Sequence, residues 1–257
     1  MQTSPQTFSH YPAWPAPVEA PLQLAPDHSC MYLPGKTSRV RAILAHRIPP
    51  ALYHQFMDAG FRRSGFLIYQ PACPGCRSCE PIRIPVDQFK PSKSQRRCWR
   101  RNQDLRVTIG APVVSDEKYD LYRRYLHDWH GRCDGDSWED FEAFLYDSPV
   151  KTIEFTYRDT AGTLLAVGIC DLCALSLSSV YHFFDPDHAR RGIGTYGVLR
   201  EIEFARSRAV PYYYLGYWVY GCKSMTYKAD FTPHQILDTD GIWRKRIQNR
   251  DMRRVLQ

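Results

Sequence analysis

Tyr181-His-Phe-Phe-Asp-Pro-Asp-His-Ala-Arg-Arg-Gly-Ile-Gly-Thr195 carries the chain from a strand-forming run to a helix-forming one through a turn that holds two glycines. Ahead of the turn, Ser178 to Asp185 reads as a strand. After it, Tyr196 to Ser207 places Leu199, Ile202 and Ala205 on one side at helical spacing, and Tyr212 to Gly216 reads as a further strand. Strand, glycine turn, helix and strand make an α/β unit whose helix N-terminus exposes backbone N–H groups. Upstream, Thr152 to Arg158 and Thr163 to Leu172 flank the short turn Asp159-Thr-Ala-Gly162, which predicts a hairpin and an antiparallel sheet up to this point.

Outward from this unit the pattern changes. Ile48, Leu52, Phe56 and Ala59 predict a helix that stops at Gly60. Phe66 to Tyr69 and Ile82 to Val86 read as short strands around Tyr69-Gln-Pro-Ala-Cys73-Pro-Gly-Cys76-Arg-Ser-Cys79. A helix entered at Ser94 would carry Arg96, Arg97, Arg100 and Arg101 on adjoining faces. Two more helices are predicted over Tyr119 to Trp129 and Trp138 to Tyr146, joined by the Gly- and Asp-rich stretch His130 to Ser137. The fold class expected is α/β (α+β) in two domains, a small cysteine-containing one over 28–110 and a larger one over 111–257. Six prolines between Pro5 and Pro26 mark 1–27 as a poorly ordered lead-in.

Composition narrows the function. The 257 residues carry 34 Lys+Arg against 27 Asp+Glu, a net +7 that is concentrated rather than spread. Between Arg83 and Arg106 stand eight basic residues and two acidic ones, a local patch suited to phosphates, with Trp99 interleaved for a base. Nine cysteines, three of them within seven positions, argue against a disulfide framework and for a reducing, cytoplasmic setting. Thr163 to Val180 is the one long apolar stretch, but Asp171 and several serines interrupt it, so two buried strands are expected and no membrane span.

Cys73, Cys76 and Cys79 with Cys30 supply four thiols, enough for zinc or an iron–sulfur cluster, although the spacing is not a usual zinc pattern. The alternative is that they shape a compact turn. Cys98, Cys133, Cys170, Cys173 and Cys222 have no partner at ligand spacing and are expected to pack. In Tyr212-Tyr-Tyr-Leu-Gly-Tyr-Trp218 the first three tyrosines read as core, whereas Tyr217 and Trp218 fall beyond the expected strand end and suggest a wall for a base or ribose. No Ser/His/Asp or Cys/His nucleophile pattern is visible.

The Arg190 to Thr195 turn resembles the acceptor loop of GNAT acyltransferases, and the whole series resembles the aminoacyl-tRNA–protein transferase family. The residues that carry this are Cys30-Met-Tyr-Leu-Pro-Gly35, Arg62-Arg-Ser-Gly65, the cysteine block, Ser94-Gln-Arg-Arg97, Tyr181-His-Phe-Phe-Asp-Pro186, Leu215-Gly-Tyr-Trp218, Gly221-Cys222 and Tyr227-Lys-Ala-Asp-Phe231. The short length, Cys30 and the three-cysteine block look like the bacterial branch, which resembles aspartate/glutamate leucyltransferases more than the longer arginyltransferases. The pair Arg191-Gly192 departs from the family's more usual loop.

The resemblance implies a GNAT-like acyltransferase domain behind the small cysteine-containing domain. It implies leucyl-tRNA and proteins with an acidic N-terminus as partners, no required cofactor, and a product marked for degradation. Arg96, Arg97, Arg100, Arg101, Arg190, Arg191, Gly192, Gly194, Tyr217 and Trp218 are then candidates for the tRNA. Arg62 and Arg83, with Arg97, are candidates for the acidic side chain. Asp185 is a candidate for orienting or deprotonating the attacking amine, or caps its turn before Pro186. Tyr227 and Lys228 are candidates for the oxyanion or the leaving ribose oxygen, Lys228 alternatively for a phosphate. Arginyl transfer, CoA-dependent acetylation and plain RNA binding are the rival activities.

Overall fold

The computed structural model describes residues 22–246. Its strands are β1 (Gln23–Leu24), β2 (His28–Ser29), β3 (Thr37–Ser38), β4 (Val40–Leu44), β5 (Arg62–Ser64), β6 (Leu67–Pro71), β7 (Glu80–Pro85) and β8 (Arg106–Gly110), followed by β9 (Thr152–Arg158), β10 (Leu164–Leu172), β11 (Ser176–Phe184), β12 (Tyr212–Trp218), β13 (Gln235–Leu237) and β14 (Trp243–Lys245). The helices are α1 (Pro50–Asp58), α2 (Lys93–Arg101), α3 (Asp116–Arg124), α4 (Trp138–Leu145), α5 (Ile193–Ser207) and α6 (Lys223–Thr226). A π-helical turn, Tyr125–Trp129, continues α3, and 3-10 turns cover Pro186–Arg191 and Tyr227–Asp230.

The main sheet has eight strands in the order β14-β13-β7-β12-β11-β10-β9-β8. Every neighbouring pair is antiparallel except β11 and β12, which run parallel because α5 carries the chain back between them. The hairpin β9–β10 and its continuation into β11 are as the sequence predicts. The sheet takes β7 and β8 from before residue 110 and the rest from after it. Alternate side chains of β11 face opposite ways. Tyr181 and Phe183 meet Tyr122 of α3, while His182 lies under Gly197 of α5, so helices cover both faces.

A second sheet, β1-β4-β6-β5, packs with α1 around Tyr53, Phe56, Phe61 and Ile68. The lead-in expected over 1–27 lies outside the described residues as far as residue 21, and Gln23–Leu24 beyond it pairs with β4. Gly60 leaves α1 at φ +80, as a helix-ending glycine can. Asp171, the residue that argued against a membrane span, is wholly buried on β10 and accepts from Arg63 Nε at 2.7 Å, Tyr53 Oη at 2.5 Å and Thr152 Oγ1 at 2.8 Å. No helix among the described residues is long and apolar enough to cross a membrane.

This ion pair joins the small sheet to the main one. Removing one partner strands a buried charge, so Asp171→Ala should cost roughly 3–5 kcal/mol in urea unfolding, and the double change Arg63→Met, Asp171→Leu should recover most of it.

Candidate active site

The parallel pair is short. Ser176, Leu177 and Ser178 align with Tyr212, Tyr213 and Tyr214, and there the register ends. Yet β11 goes on pairing with β10 as far as Phe184, and β12 with β7 as far as Trp218. Register shifts at Ile169/Cys170 and at Tyr214/Gly216, in the pairings on the outer edges of the two strands, fall next to the point where the parallel pairing stops. The facing edges therefore part in mid-sheet and leave backbone groups without ladder partners.

Two cations fill the inner end of this gap. Arg62 Nη2 donates to Ser179 O on β11, and Lys228 Nζ donates to Tyr217 O on β12 at 2.9 Å. They converge on Gly216, where a Cβ would stand 3.5 Å from Lys228 Nζ and 3.6 Å from Arg62 Nε, at a φ of +85. Both side chains are nearly enclosed, and among the described residues neither has a carboxylate as partner. Burial, helped by the Arg62 charge, pulls the Lys228 ammonium down to about 7.

Tyr227, next to Lys228 in the chain, packs its ring 6.5 Å from that of Phe231 and is within electrostatic reach of Tyr125 on the α3 side and of Glu201 on the α5 side. Tyr125 and Tyr181 line the α3 side with rings 6.2 Å apart. On the α5 side Glu201 is buried and accepts from Tyr213 Oη, with Cys170 and Ser179 also bonded to it. Burial raises its carboxyl to about 7. His182, beside it, has both ring nitrogens enclosed without a partner among the described residues, and burial lowers it to about 4. Nothing in the sequence pattern distinguished Glu201 or His182 from core-facing residues. The one trace was Gly197 within a helix, where a Cβ would lie 2.4 Å from the His182 ring.

Helix α2 bridges the two sides. Ser92 and Gln95 form a capping box at its start, and Gln95 Nε2 reaches Asp230 O at 3.2 Å, beyond Lys228. At its other end Arg101 Nη1 donates to Arg190 O at 2.6 Å and Asn102 Nδ2 to Arg191 O at 3.0 Å. Gln95 and Cys98 are buried, which turns Arg96, Arg97, Arg100 and Arg101 outward. Arg96 caps Pro91 O, whereas Arg97 and Arg100 have no partner among the described residues. The basic helix and the Arg190–Gly194 segment, separate in sequence, form one surface. Helix α5 begins at Ile193, earlier than predicted, so Gly194 lies in its first turn and Gly192, at φ +71, starts it without a side-chain cap.

Several candidate residues are engaged within the fold. Asp185 is 6% exposed, caps the 3-10 turn by accepting from Asp187 N at 3.0 Å, and pairs with Arg124 Nη2 at 2.7 Å, so its oxygens are already engaged at the turn. Arg83 lies between Tyr212 and Trp243 and pairs with Asp58 at 2.5 Å, so its charge is already met. Strand β12 continues through Gly216, and Tyr217 and Trp218 are core, their polar tips given to Gly60 O and Thr226 O; they are no accessible wall for a base. Arg191 turns back onto Asp104 and Asn102, leaving Arg190 as the exposed cation of the turn.

Cys30, Cys73 and Cys76 lie near enough to Cys79 to add to the burial that pushes its thiol up to about 12. Among the described residues, though, no three His, Cys, Asp or Glu side chains are placed to hold a metal together, and Cys73 Sγ is taken up by the Arg39 backbone. The four thiols in this arrangement do not fit zinc or a cluster.

A gap between parallel strands, two buried cations and an adjoining arginine surface make up the candidate site of a transferase. Residues 28–97 match the family model described as arginine-tRNA-protein transferase, N terminus, and residues 117–238 match its C terminus. The protein named aspartate/glutamate leucyltransferase in Hahella chejuensis is 37% identical over 84% of this chain and 93% of its own, and that of Stenotrophomonas maltophilia 41% over 82% and 88%. The chain belongs to this transferase family. Solved structures overlay more loosely, L-PGS from Bacillus licheniformis at 15% identity and a TM-score of 0.46, over 80% of this chain and 67% of that one.

The depressed Lys228 fixes a sign. Its folded value, about 7, lies below the ordinary 10.5, so between these the unfolded state binds more protons and stability rises with pH. Lys228→Met should melt higher than wild type at pH 7, with the difference closing toward pH 10, as followed by Tm across that range.

Proposed function

We propose that this chain moves leucine from leucyl-tRNA to the α-amino group of proteins that begin with Asp or Glu, a modification that marks them for degradation. The observation that carries this is the pair of buried cations, Arg62 and Lys228, with no carboxylate of the chain beside them among the described residues. An uncompensated buried charge costs several kcal/mol, which an entering Asp or Glu side chain offsets. Carboxylate on Arg62 sets the α-amine of the same residue a few bonds away, in the gap.

The ester of a charged tRNA is already activated, so positioning carries most of the catalysis. An α-ammonium with a pKa of about 8 has to lose a proton before it attacks. Lys228, at about 7 and partly neutral at neutral pH, is suited to accept it. The amine nitrogen bonds to the leucyl carbonyl carbon and the ester C–O bond breaks; of the two protons the nitrogen sheds, one passes by way of Lys228 to the departing ribose oxygen and the other leaves to solvent. Arg97, Arg100 and Arg190, exposed on one surface, meet the tRNA phosphates.

The family model's own description favours arginine as the second reading. A reporter beginning with Asp, total charged tRNA and each labelled amino acid in turn separates the two, with acetyl-CoA as a further donor. Leucine should be transferred, and Arg62→Met should abolish the preference for Asp and Glu over Ala at the reporter's N-terminus. Neutralising Arg97 and Arg100 should lower the slope of log K for tRNA on log salt by about 1–2, as two lost phosphate contacts require. An unchanged slope removes α2 from the tRNA surface.

A further inference from the structure

The tertiary fold leaves one large aromatic side chain at the outer end of the gap with no structural occupation for half of its surface. Trp129 closes the π-helical turn Tyr125–Trp129 and is 50% exposed. Its ring meets Phe184, the last residue of β11, at 5.2 Å and 65°, which holds one side of the indole, and half of the residue's surface is left to solvent. Tyr125, one π-turn earlier, meets the same Phe184 ring at 4.9 Å. Its indole N–H has no acceptor among the described residues, whereas those of Trp218 and Trp243 are bonded to Thr226 O and Asp58 O.

The surroundings give this ring a fixed place. Arg124, the residue before the π-turn, pairs with both Asp185 and Asp187 and so ties the turn to Pro186–Arg191. Immediately after comes the uncapped start of α5, and Arg190 projects into solvent from the same 3-10 turn. The acidic neighbours are Asp128, which is exposed, and Asp187, which Arg124 engages. A wide i→i+5 turn is an uncommon way to end a helix and recurs where a side chain is presented for function. A flat, neutral π-face flanked by phosphate-binding groups suits an unpaired nucleotide base, which binds by stacking and without regard to sequence.

We propose that Trp129 is the stacking platform for the terminal adenosine of the aminoacyl-tRNA, which thereby places the ester at the mouth of the β11–β12 gap. This rests on the transferase activity proposed above. The terminal adenosine is the occupant because it alone carries the ester, and Phe184, against which Trp129 packs, ends the strand that borders the gap. Trp129 touches the nucleotide and not the reacting atoms, so it acts on binding.

The test uses leucyl-adenosine and whole leucyl-tRNA as donors to an Asp reporter. Trp129→Leu keeps an apolar contact with Phe184 but has no π-face, and Trp129→Phe retains one. Trp129→Leu should raise KM for both donors about 5- to 150-fold, the range that one lost base stack gives, with kcat within about twofold. Trp129→Phe should recover most of the loss. The salt slope should stay at the wild-type value, because no phosphate contact is removed, in contrast to the Arg97 and Arg100 change. An unchanged KM in a variant that melts like wild type overturns the proposal, as does an effect confined to whole tRNA. Wild-type protein that transfers nothing from any charged tRNA overturns the proposed function and this inference with it, whereas leucine transfer indifferent to Trp129 overturns the inference alone.

Discussion

Arg62 and Arg63 stand side by side on β5, and because successive strand residues point to opposite faces they leave the small sheet in different directions. Arg63 meets Asp171 on β10 in a fully buried pair, and Arg62 reaches Ser179 O on β11. The first contact fixes the small sheet against the main one. The second places a cation at the point where β11 leaves β12. Position of the one depends on the other, since a strand anchored by Arg63 has little freedom to move Arg62. The N-terminal segment is thus part of the site and not an appendage to it.

The open sheet is the second condition. A parallel neighbour joined through α5 can be left unpaired beyond three residues only because each strand keeps a full partner on its other side. The backbone groups freed in the gap would be costly if sealed from both water and ligand. Arg62 and Lys228 each satisfy one carbonyl, and Tyr227, next to Lys228 in the chain, is 40% exposed. On the α5 side burial shifts Glu201 and His182 toward neutrality, so that near neutral pH His182 is uncharged and Glu201 is only partly ionised.

Helix α2 connects this interior to the surface. One end is bonded to the turn after Lys228 and the other to the turn after Asp185, while its outer face carries the arginines. A polyanion bound on α2 touches an element that is fastened to both banks of the gap. The rings of Trp99 and Tyr196, 5.3 Å apart, hold α2 to α5 and keep those fastenings in register.

Local pattern was enough for most of the elements. The hairpin β9–β10, the strand–turn–helix–strand unit and the basic face of α2 all follow from period, turn residues and spacing, which act over a few residues and survive in the sequence. The family was legible for the same reason, as a series of short motifs in order. Lys228, Tyr227 and Arg62 could be named as candidates from side-chain chemistry within the family's motifs. What their neighbours do was decided by tertiary structure. Asp185 and Arg83 look free in sequence and are taken up by Arg124 and Asp58, which lie 61 and 25 residues away. Tyr217 and Trp218 look exposed because Gly216 suggests a strand end, yet β7 pairs across that glycine and buries them. Burial, pairing and pKa depend on contacts between distant segments, and no window of the sequence contains them. The sequence by itself determined which elements form and which side chains carry charge; the fold alone decided which of those charges remain unspent for a substrate.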